Sequence, residues 1–279
     1  MNERILLHVP YEAAGLSAPE KPAGLLPVAL PHYDEIGEQR RPAVIICPGG
    51  GYDFCSDREA VPVAARFAGY GVQAFVLYYN CKTPFPTNLL ELAEAVRLVR
   101  AHAAEYEIDP HRIAVCGFSA GAHLAGSLAV YANRPLLTAL FGDSAAYRPD
   151  AQILCYPVIS GGACAHRGSI INLIGVQAAN DFGCPQNAAV SLEQQVSAET
   201  PPCFLWSISD DNTVPIDNSL LYLRALAAHG VPFESHILPH GAHGLSLADE
   251  TAAMGAWHLN PVCAPWFEAC IRWIRRGYQ

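Results

Sequence analysis

The sequence contains no apolar run long enough to cross a lipid bilayer. A membrane-spanning helix needs about 18 or more consecutive apolar residues, and none of the apolar runs in this chain of 279 residues reaches that length. The first apolar stretch is short and ends at Pro10, which is not the pattern of a signal peptide. Internal repeats and low-complexity tracts are also absent. We therefore expect neither a membrane-spanning helix nor a repeat architecture such as a propeller.

Charged residues are scarce, and basic residues are scarcer than acidic ones. Asp, Glu, Lys and Arg together make up 15% of the chain, and the formal net charge is −9. A negative chain is repelled by phosphate backbones and by anionic lipid headgroups. This balance argues against nucleic acid or a membrane as the main partner and favours a small neutral molecule. Because 51% of the residues are hydrophobic, a large buried core is expected.

The ten cysteines include no C-x-x-C pair. Cys47, Cys116, Cys155 and Cys203 lie inside apolar runs, where a thiol behaves as a small hydrophobic group. A secreted protein would not easily keep so many thiols unpaired. The composition therefore predicts a reducing, cytoplasmic location. The oligomeric state is left open, and a homo-oligomer is compatible with the sequence.

One stretch combines a strand, a tight turn and a helix without a gap. The apolar run 113–116 is followed by Gly117, Phe118, Ser119, Ala120 and Gly121, and then by a helical pattern of small residues that extends to Tyr131. G-x-S-x-G between a strand and a helix is the nucleophile elbow of the α/β-hydrolases. The flanking glycines let the strand and the helix approach, and the turn lifts the serine hydroxyl above the sheet. Ser119 is therefore the predicted nucleophile.

Apolar runs and helical patterns alternate along the rest of the chain, which predicts right-handed crossovers and a mostly parallel central sheet flanked by helices on both faces. The strand candidates include 43–47, 72–79, 113–116, 152–156, 204–208 and 233–238. Helical patterns run from about Arg58 to Ala68 and over 88–104, 216–228 and 266–275.

A single α/β-hydrolase domain over residues 1–279 is the predicted organisation. One segment, 160–200, departs from the alternation because it separates two strands and shows little periodicity before 187–196. Long connections in compact domains tend to be functional or mobile. The segment is either a small cap over the site or an ordinary excursion.

A serine hydroxyl needs a base, and the base needs a group that orients it. In α/β-hydrolases an acid and then a histidine follow the serine along the chain, each on a loop after a strand. Asp210 and Asp211 follow the run 204–208, and either carboxylate is a candidate, with Asp210 alternatively capping the turn. His240 and His243 follow the run 233–238. His243 lies in a flexible G-x-H-G turn and is the predicted base, whereas His240 is assigned a structural role.

The remaining histidines do not indicate a metal site. The spacing H-x-x-H of His240 and His243 is compatible with a metal, but no third ligand set with metal spacing is visible. His123 follows the elbow on its helix, where a positive charge near a helix N-terminus is disfavoured. It is therefore predicted to be a neutral packing residue. No metal or cofactor is expected.

Backbone N–H groups are expected to stabilise the oxyanion. One comes from Ala120, directly after the nucleophile, and the other from Gly50 or Gly51 in the glycine triplet after the run 43–47. A phosphate-binding loop is the alternative for this triplet, but neither G-x-G-x-x-G nor a following Lys with Ser or Thr is present. Tyr52, after the triplet, and Trp257, in the loop after the base, are the candidates for substrate contact.

Several motifs together resemble the bacterial α/β-hydrolase esterases related to acetyl-xylan and feruloyl esterases, from about residue 40 to the C-terminus. The motifs are PGGGY (48–52), REAVPVA (58–64), GFSAGAHLA (117–125), DNTVP (211–215) and HGLS (243–246). Pro48 stands where the hormone-sensitive-lipase relatives have a histidine. Glu59 also matches the family pattern, although a solvated acid in the first turn of a helix explains it equally well.

The resemblance implies a triad of Ser119, Asp211 and His243, in which Asp211 is preferred over Asp210. It also implies a serine carboxylesterase that acts on short-chain acyl esters, with acetyl esters of xylo-oligosaccharides or other sugars as substrates. Composition and spacing alone indicate only a serine hydrolase. Two alternatives are a serine peptidase of the prolyl-oligopeptidase type, which usually carries an N-terminal propeller, and a non-catalytic binding module that kept the fold.

Overall fold

A sheet of eight strands forms the centre of the structure, a computed structural model that describes residues 3–279. The strands are β1 (Ile5–Leu6), β2 (Gly24–Val28), β3 (Arg41–Cys47), β4 (Gln73–Tyr78), β5 (Ile108–Phe118), β6 (Ala151–Cys155), β7 (Cys203–Ile208) and β8 (Phe233–Leu238). Their order across the sheet is β1-β2-β4-β3-β5-β6-β7-β8. Only the β1–β2 and β2–β4 pairings are antiparallel. The prediction of a mostly parallel sheet is confirmed.

Helices connect the strands. Within residues 3–279 they are α1 (Val61–Gly69), α2 (Thr87–Ala101), α3 (Ala120–Tyr131), α4 (Pro135–Phe141), α5 (Arg167–Asn180), α6 (Pro185–Ala189), α7 (Asp217–Ala228) and α8 (Trp266–Arg275). None of these helices is long and apolar enough to cross a membrane.

Both faces of the sheet are covered by a hydrophobic core, because successive side chains of a strand point to opposite faces. In β3, Ala43, Ile45 and Cys47 pack in the core that includes residues of α2, α3 and α7. Val44 and Ile46 pack in the core that includes residues of α1 and α8. Burial on both faces explains why this strand is a continuous apolar run rather than an alternating one.

Two helical segments differ from the sequence prediction. The helix expected from about Arg58 begins only at Val61, because residues 57–59 form a short 3-10 turn and Pro62 occupies the first turn of the helix. In the segment 160–200, the helix α5 was not predicted. Its backbone leaves the helical region at Gly175, with φ 80° and ψ 163°, so the helical period is interrupted. The structure also places α6 and a 3-10 turn where periodicity over 187–196 was noted.

His123, a residue of α3, is fully buried against the segment that follows α6. Its Nδ1 is 2.8 Å from the hydroxyl of Tyr52, and its Nε2 is 2.8 Å from the carbonyl oxygen of Val190. Because a carbonyl can only accept, Nε2 carries the proton and donates, and the Tyr52 hydroxyl donates to Nδ1. Burial lowers the pKa of His123 to about 4. The prediction of a neutral packing residue agrees with this geometry.

The lowered pKa of His123 predicts a loss of stability in acid. The unfolded chain takes up a proton at its ordinary pKa of about 6.5, whereas the folded chain resists protonation down to about 4. The contribution of neutral His123 to the free energy of unfolding is therefore complete above the pKa of the unfolded chain. It is lost, by about 3 kcal/mol, as the pH falls from that pKa to the pKa of the folded chain. Urea unfolding at several pH values should show this extra loss in the native protein relative to His123→Gln. An identical pH dependence for the two proteins would contradict the assignment.

Candidate active site

The carboxyl ends of four parallel strands, β3, β5, β7 and β8, bring the predicted residues to one edge of the sheet. In the register, Cys47 of β3 pairs with Gly117 of β5, and Ile208 of β7 pairs with Leu238 of β8. The glycine triplet follows β3, Ser119 follows β5, and the acid and histidine candidates follow β7 and β8. Because all four strands run in the same direction, their loops meet above the same edge.

The turn at Ser119 is strained and closely packed. Ser119 has φ 53° and ψ −116°, outside the usual region for a residue with a side chain. A Cβ on Gly117 would lie 2.1 Å from the carbonyl oxygen of Gly121, and a Cβ on Gly121 would lie 2.0 Å from the carbonyl oxygen of Cys47. Only glycine fits at both positions. The Ser119 N–H donates to the carbonyl of Cys155 at 3.0 Å, which anchors the turn to β6.

Ser119, His243 and Asp211 form a continuous hydrogen-bonded chain. The His243 Nε2 is 2.8 Å from the Ser119 Oγ, and the His243 Nδ1 is 2.6 Å from the Asp211 Oδ2. The other carboxylate oxygen, Oδ1, accepts from the N–H groups of Thr213 and Val214 at 2.8 and 3.0 Å. Burial alone would raise the pKa of Asp211, but the hydrogen bond and charge of His243 and these two N–H groups outweigh it and lower the pKa. An ionised carboxylate can only accept, so Nδ1 carries a proton and Nε2 faces the serine as the acceptor.

A second pair of the same residue types lies beside the first. The His240 Nδ1 is 2.8 Å from the Asp210 Oδ2, and the Gly241 N–H donates to Asp210 at 3.1 Å. His240 is exposed, and Asp210 is about half exposed. Of the two acids left open by the sequence, only Asp211 therefore contacts His243. Among residues 3–279 no group of three or more His, Cys, Asp or Glu side chains is arranged to hold a metal ion.

The N–H groups of Gly50, Gly51 and Ala120 are free to bind an oxyanion. Within the described part of the chain, none of the three has a hydrogen-bond acceptor. The Gly49 N–H, by contrast, donates to Glu59 at 2.8 Å. Gly50 and Gly51 have φ of 124° and 67°, and a Cβ on Gly50 would lie 2.1 Å from the carbonyl oxygen of Phe54. Ala120 begins α3, so its N–H points away from the helix towards the serine turn.

Glu59 ties together the two loops that flank the serine. Its side chain is buried, so the interpretation as a solvated helix acid is wrong. Oε2 accepts from the Gly49 N–H at 2.8 Å, and Oε1 accepts from the Tyr156 hydroxyl at 2.6 Å. That hydroxyl in turn accepts from the Ser246 N–H at 2.9 Å. Burial raises the pKa of Glu59 although these donors and the nearby positive charges oppose it.

Tyr156 and Arg58 hold the loop that carries His243. The Tyr156 ring packs edge-to-face on His243 with the ring centroids 5.0 Å apart. The Arg58 side chain donates to the carbonyl of Gly244 at 2.9 Å and to the carbonyl of Ala252 at 2.6 Å. Gly244 and Ala252 both follow His243 in the sequence, so these contacts hold the segment after the histidine and restrict the position of its ring.

Two predicted substrate residues lie outside the cleft. The Tyr52 side chain is buried, and its hydroxyl is bonded to His123. Trp257 is 65% exposed and its ring packs against His258 rather than along the cleft. The apolar character of both residues suggested a binding role, but sequence spacing does not show on which side of a loop a side chain lies.

A cleft of about 420 Å³ opens above Ser119 and His243. Besides the predicted residues it is lined by side chains and backbone that the sequence did not single out as substrate contacts, namely Asp53, Phe54, Ser56, Arg58, Glu59, His166, Gly168, Asn172, Thr213 and Gly244. Three of them, His166, Gly168 and Asn172, belong to the segment 160–200. Asn172 also donates to the carbonyl of Gly51 at 2.9 Å and so holds the oxyanion loop. The residues of 53–58 could have been expected in the cleft because they closely follow the glycine triplet in the sequence. No sequence feature indicated His166 or Asn172 as cleft residues.

The strained serine turn, the order of the serine, acid and histidine along the chain, and the parallel sheet define an α/β-hydrolase. The chain belongs to the BD-FAE family of α/β-hydrolase esterases, whose family model matches residues 30–226. The resemblance stated from the motifs is thereby confirmed, and so is the fold class.

Named relatives are hydrolases of esters and of xylan. The chain is 37% identical over 229 residues to endo-1,4-beta-xylanase B of Butyrivibrio fibrisolvens, matching 78% of this chain and 34% of that protein. It is 29% identical over 208 residues to the acetylxylan esterase of Xylanibacter ruminicola, matching 72% of this chain and 40% of that protein. The chain thus spans between a third and two fifths of the length of these two relatives.

A solved structure matches along nearly the whole length of both chains. The acetyl ester-xyloside bifunctional hydrolase of Caldicellulosiruptor lactoaceticus superposes with a TM-score of 0.83 at 35% identity, covering 99% of this chain and 97% of that one. The serine-hydrolase class inferred from the sequence is in accord with these relatives.

We expect Glu59→Ala to damage both stability and activity. The substitution leaves the Gly49 N–H and the proton of the Tyr156 hydroxyl without a buried acceptor, at a cost of about 3 kcal/mol in the free energy of unfolding. Displacement of the two loops should lower kcat/KM for an aryl acetate by about 100-fold. Glu59→Gln is the matched control, because its amide oxygen keeps the acceptor for the Gly49 N–H, while its amide nitrogen keeps a hydrogen bond to Tyr156 by donating to the hydroxyl oxygen instead of accepting from it. Urea unfolding and steady-state kinetics measure both effects, and equal losses in the two variants would refute the bridging role.

Proposed function

We propose that this chain is a serine carboxylesterase that hydrolyses short-chain acyl esters, acetyl esters of xylo-oligosaccharides or other sugars above all. The observation that carries the proposal is the hydrogen-bonded chain from Ser119 through His243 to Asp211, with free N–H groups beside it. This arrangement of nucleophile, base and orienting acid is the general requirement for activating a serine hydroxyl.

In the proposed reaction, the Ser119 oxygen attacks the ester carbonyl while the His243 Nε2 takes the hydroxyl proton. The negative charge that develops on the carbonyl oxygen is stabilised by the N–H groups of Ala120 and of Gly50 or Gly51. His243 then returns the proton to the departing alcohol, and an acyl-enzyme remains on Ser119. Water attacks this acyl group with His243 again as the base, which releases the acid and restores the serine. Asp211 holds the imidazole tautomer and stabilises its positive form.

The substrate class is supported by relatives and by the cleft. The names of the relatives include an acetylxylan esterase and an acetyl ester-xyloside hydrolase. The cleft of about 420 Å³ suits a small ligand and is lined by backbone and polar groups together with one exposed aromatic ring, Phe54. A net charge of −9 is compatible with a neutral sugar ester.

The organisation of the chain is part of the same proposal. We assign residues 1–279 to one hydrolase domain in which the segment 160–200 forms a wall of the cleft, because His166 and Asn172 line it. The ten cysteines are all unpaired, which supports a cytoplasmic location. The substrate reaching it there would be a short imported oligosaccharide.

Substitution of the two adjacent acids, Asp210 and Asp211, tests the assignment of Asp211 as the residue that orients His243. Asp211→Asn should lower kcat for an aryl acetate by about 10,000-fold, because the amide favours the wrong imidazole tautomer. Asp210→Asn, one residue away and exposed, should stay within about twofold of the native rate, since surface substitutions are usually small in effect. Steady-state kinetics of the two purified variants decides the matter. Comparable losses in both would remove Asp211 from its proposed role.

The activity itself is tested by acetate release from acetylated xylo-oligosaccharides, alongside nitrophenyl esters of increasing chain length. Ser119→Ala should lower kcat by more than about 1,000-fold. The control is Ser127→Ala, because Ser127 is a buried serine of α3, the helix that follows Ser119, and its hydroxyl donates to the carbonyl of His123 at 2.7 Å. A preference for long-chain esters would replace the acetylesterase proposal with a general esterase. Absence of any ester cleavage would overturn it.

A further inference from the structure

His166 caps helix α5 with one ring nitrogen and leaves the other free. Its Nδ1 accepts from the Ser169 N–H at 3.3 Å and lies 2.8 Å from the Ser169 Oγ. A nitrogen that accepts from an N–H carries no proton, so in the neutral ring the proton is on Nε2. Within residues 3–279 this Nε2 has no hydrogen-bond partner. The helix cap therefore fixes the tautomer and leaves an N–H donor to spare.

The free donor belongs to the wall of the catalytic cleft. His166 lines the cleft together with Ser119 and His243, and its ring is partly buried. The His166 Cε1 would be 3.9 Å from a Cβ placed on Gly51, so the ring lies against the oxyanion loop. Burial, followed by the charge of His243, lowers the pKa of His166, while the charge of Asp211 opposes this effect. The ring is accordingly neutral near pH 7, in the form that keeps Nδ1 as an acceptor.

Two further groups of the cleft complement this donor. Asn172 uses its amide Nδ2 to hold the Gly51 carbonyl, and its Oδ1 accepts from no donor in the described part of the chain. Phe54 is 59% exposed although it lies on the cleft wall. A donor, an acceptor and a flat apolar surface are the groups that a ring carrying several hydroxyls can use at once.

We propose that His166 is the specificity-determining residue of a polyol subsite, in which its Nε2–H donates to a hydroxyl on the alcohol part of the ester. Asn172 Oδ1 accepts from a second hydroxyl, and the Phe54 ring covers an apolar face of the sugar. The inference rests on the proposed function, because an acetyl group has no hydroxyl and the partner must belong to the alcohol. A simple alkyl ester would leave the partly buried Nε2–H without an acceptor, so the subsite selects against it.

The test compares an acetylated methyl xyloside with its monodeoxy analogues and with phenyl acetate. In the native enzyme, removal of either hydroxyl that contacts His166 or Asn172 should lower kcat/KM by about tenfold, mostly through KM, and removal of a hydroxyl that contacts neither should lower it by less. This measurement needs no variant and so does not depend on the folding of one. An unchanged kcat/KM for every monodeoxy analogue would overturn the proposal.

The decisive variant is His166→Asn, because asparagine is a favoured helix cap and keeps the acceptor for Ser169 while its short side chain removes the donor. The ratio of kcat/KM for the acetylated xyloside to that for phenyl acetate should fall about tenfold. For the analogue that lacks the hydroxyl contacted by His166, the ratio of its kcat/KM to that for phenyl acetate should not fall. His229→Asn, an exposed histidine at the end of α7, is the control and should leave both rates unchanged.

The outcomes separate this proposal from the proposed function. Cleavage of aryl acetates with an unchanged ratio in His166→Asn would overturn the polyol subsite and leave the esterase intact. A fall in the ratio that is the same for the xyloside and all its deoxy analogues would assign His166 a role in the helix cap only. Absence of cleavage of any ester by the native protein would overturn the proposed function, and the subsite with it.

Discussion

A buried carboxylate, that of Glu59, connects the parts of the site that the sheet does not connect. Its two oxygens accept from two different chain segments, the glycine loop after β3 and, through Tyr156, the histidine loop after β8. Parallel strands bring these loops to the same edge, but strand pairing alone does not fix their distance above it. A buried carboxylate without donors would be costly, so the folded state strongly favours the arrangement in which the glycine loop and Tyr156 both donate to it. The position of the free N–H groups of Gly50 and Gly51 relative to His243 depends on this requirement.

The two Asp–His pairs show how environment separates residues of identical type. Both pairs join the loops after β7 and β8, and both have hydrogen bonds shorter than 3 Å between carboxylate and imidazole. The difference is that Asp211 is buried and holds two backbone N–H groups, whereas the pair of Asp210 and His240 is in contact with water. A low-dielectric surrounding strengthens the first interaction, and solvent weakens the second. Only the first pair also contacts a serine.

Much of the sheet and of the chemistry could be predicted from the sequence, because each depends on local patterns. Continuous apolar runs mark strands buried on both faces, and the spacing of Gly117, Ser119 and Gly121 follows from the close approach of backbone atoms. The wall of the cleft could not be predicted. Helix α5 is interrupted at Gly175, which hides its period, and a histidine at a helix start has no distinctive pattern. For Glu59 the sequence leaves a solvated acid and the family pattern as equal explanations, because burial of a carboxylate depends on donors from distant segments, which spacing does not reveal.

The residues of α5 that face the site recur at every third position. His166, Ser169 and Asn172 lie on one side of its first turns and meet the oxyanion loop at Gly51. The sheet edges supply Ser119 and His243, whereas this face comes from the long crossover between β6 and β7. In the proposed subsite, the crossover thus supplies two polar groups for the alcohol, whereas the loops after the strands supply the groups that react. Under that proposal, an exchange of the crossover alone would change which alcohol is recognised, while the strands that carry the reacting groups keep their register.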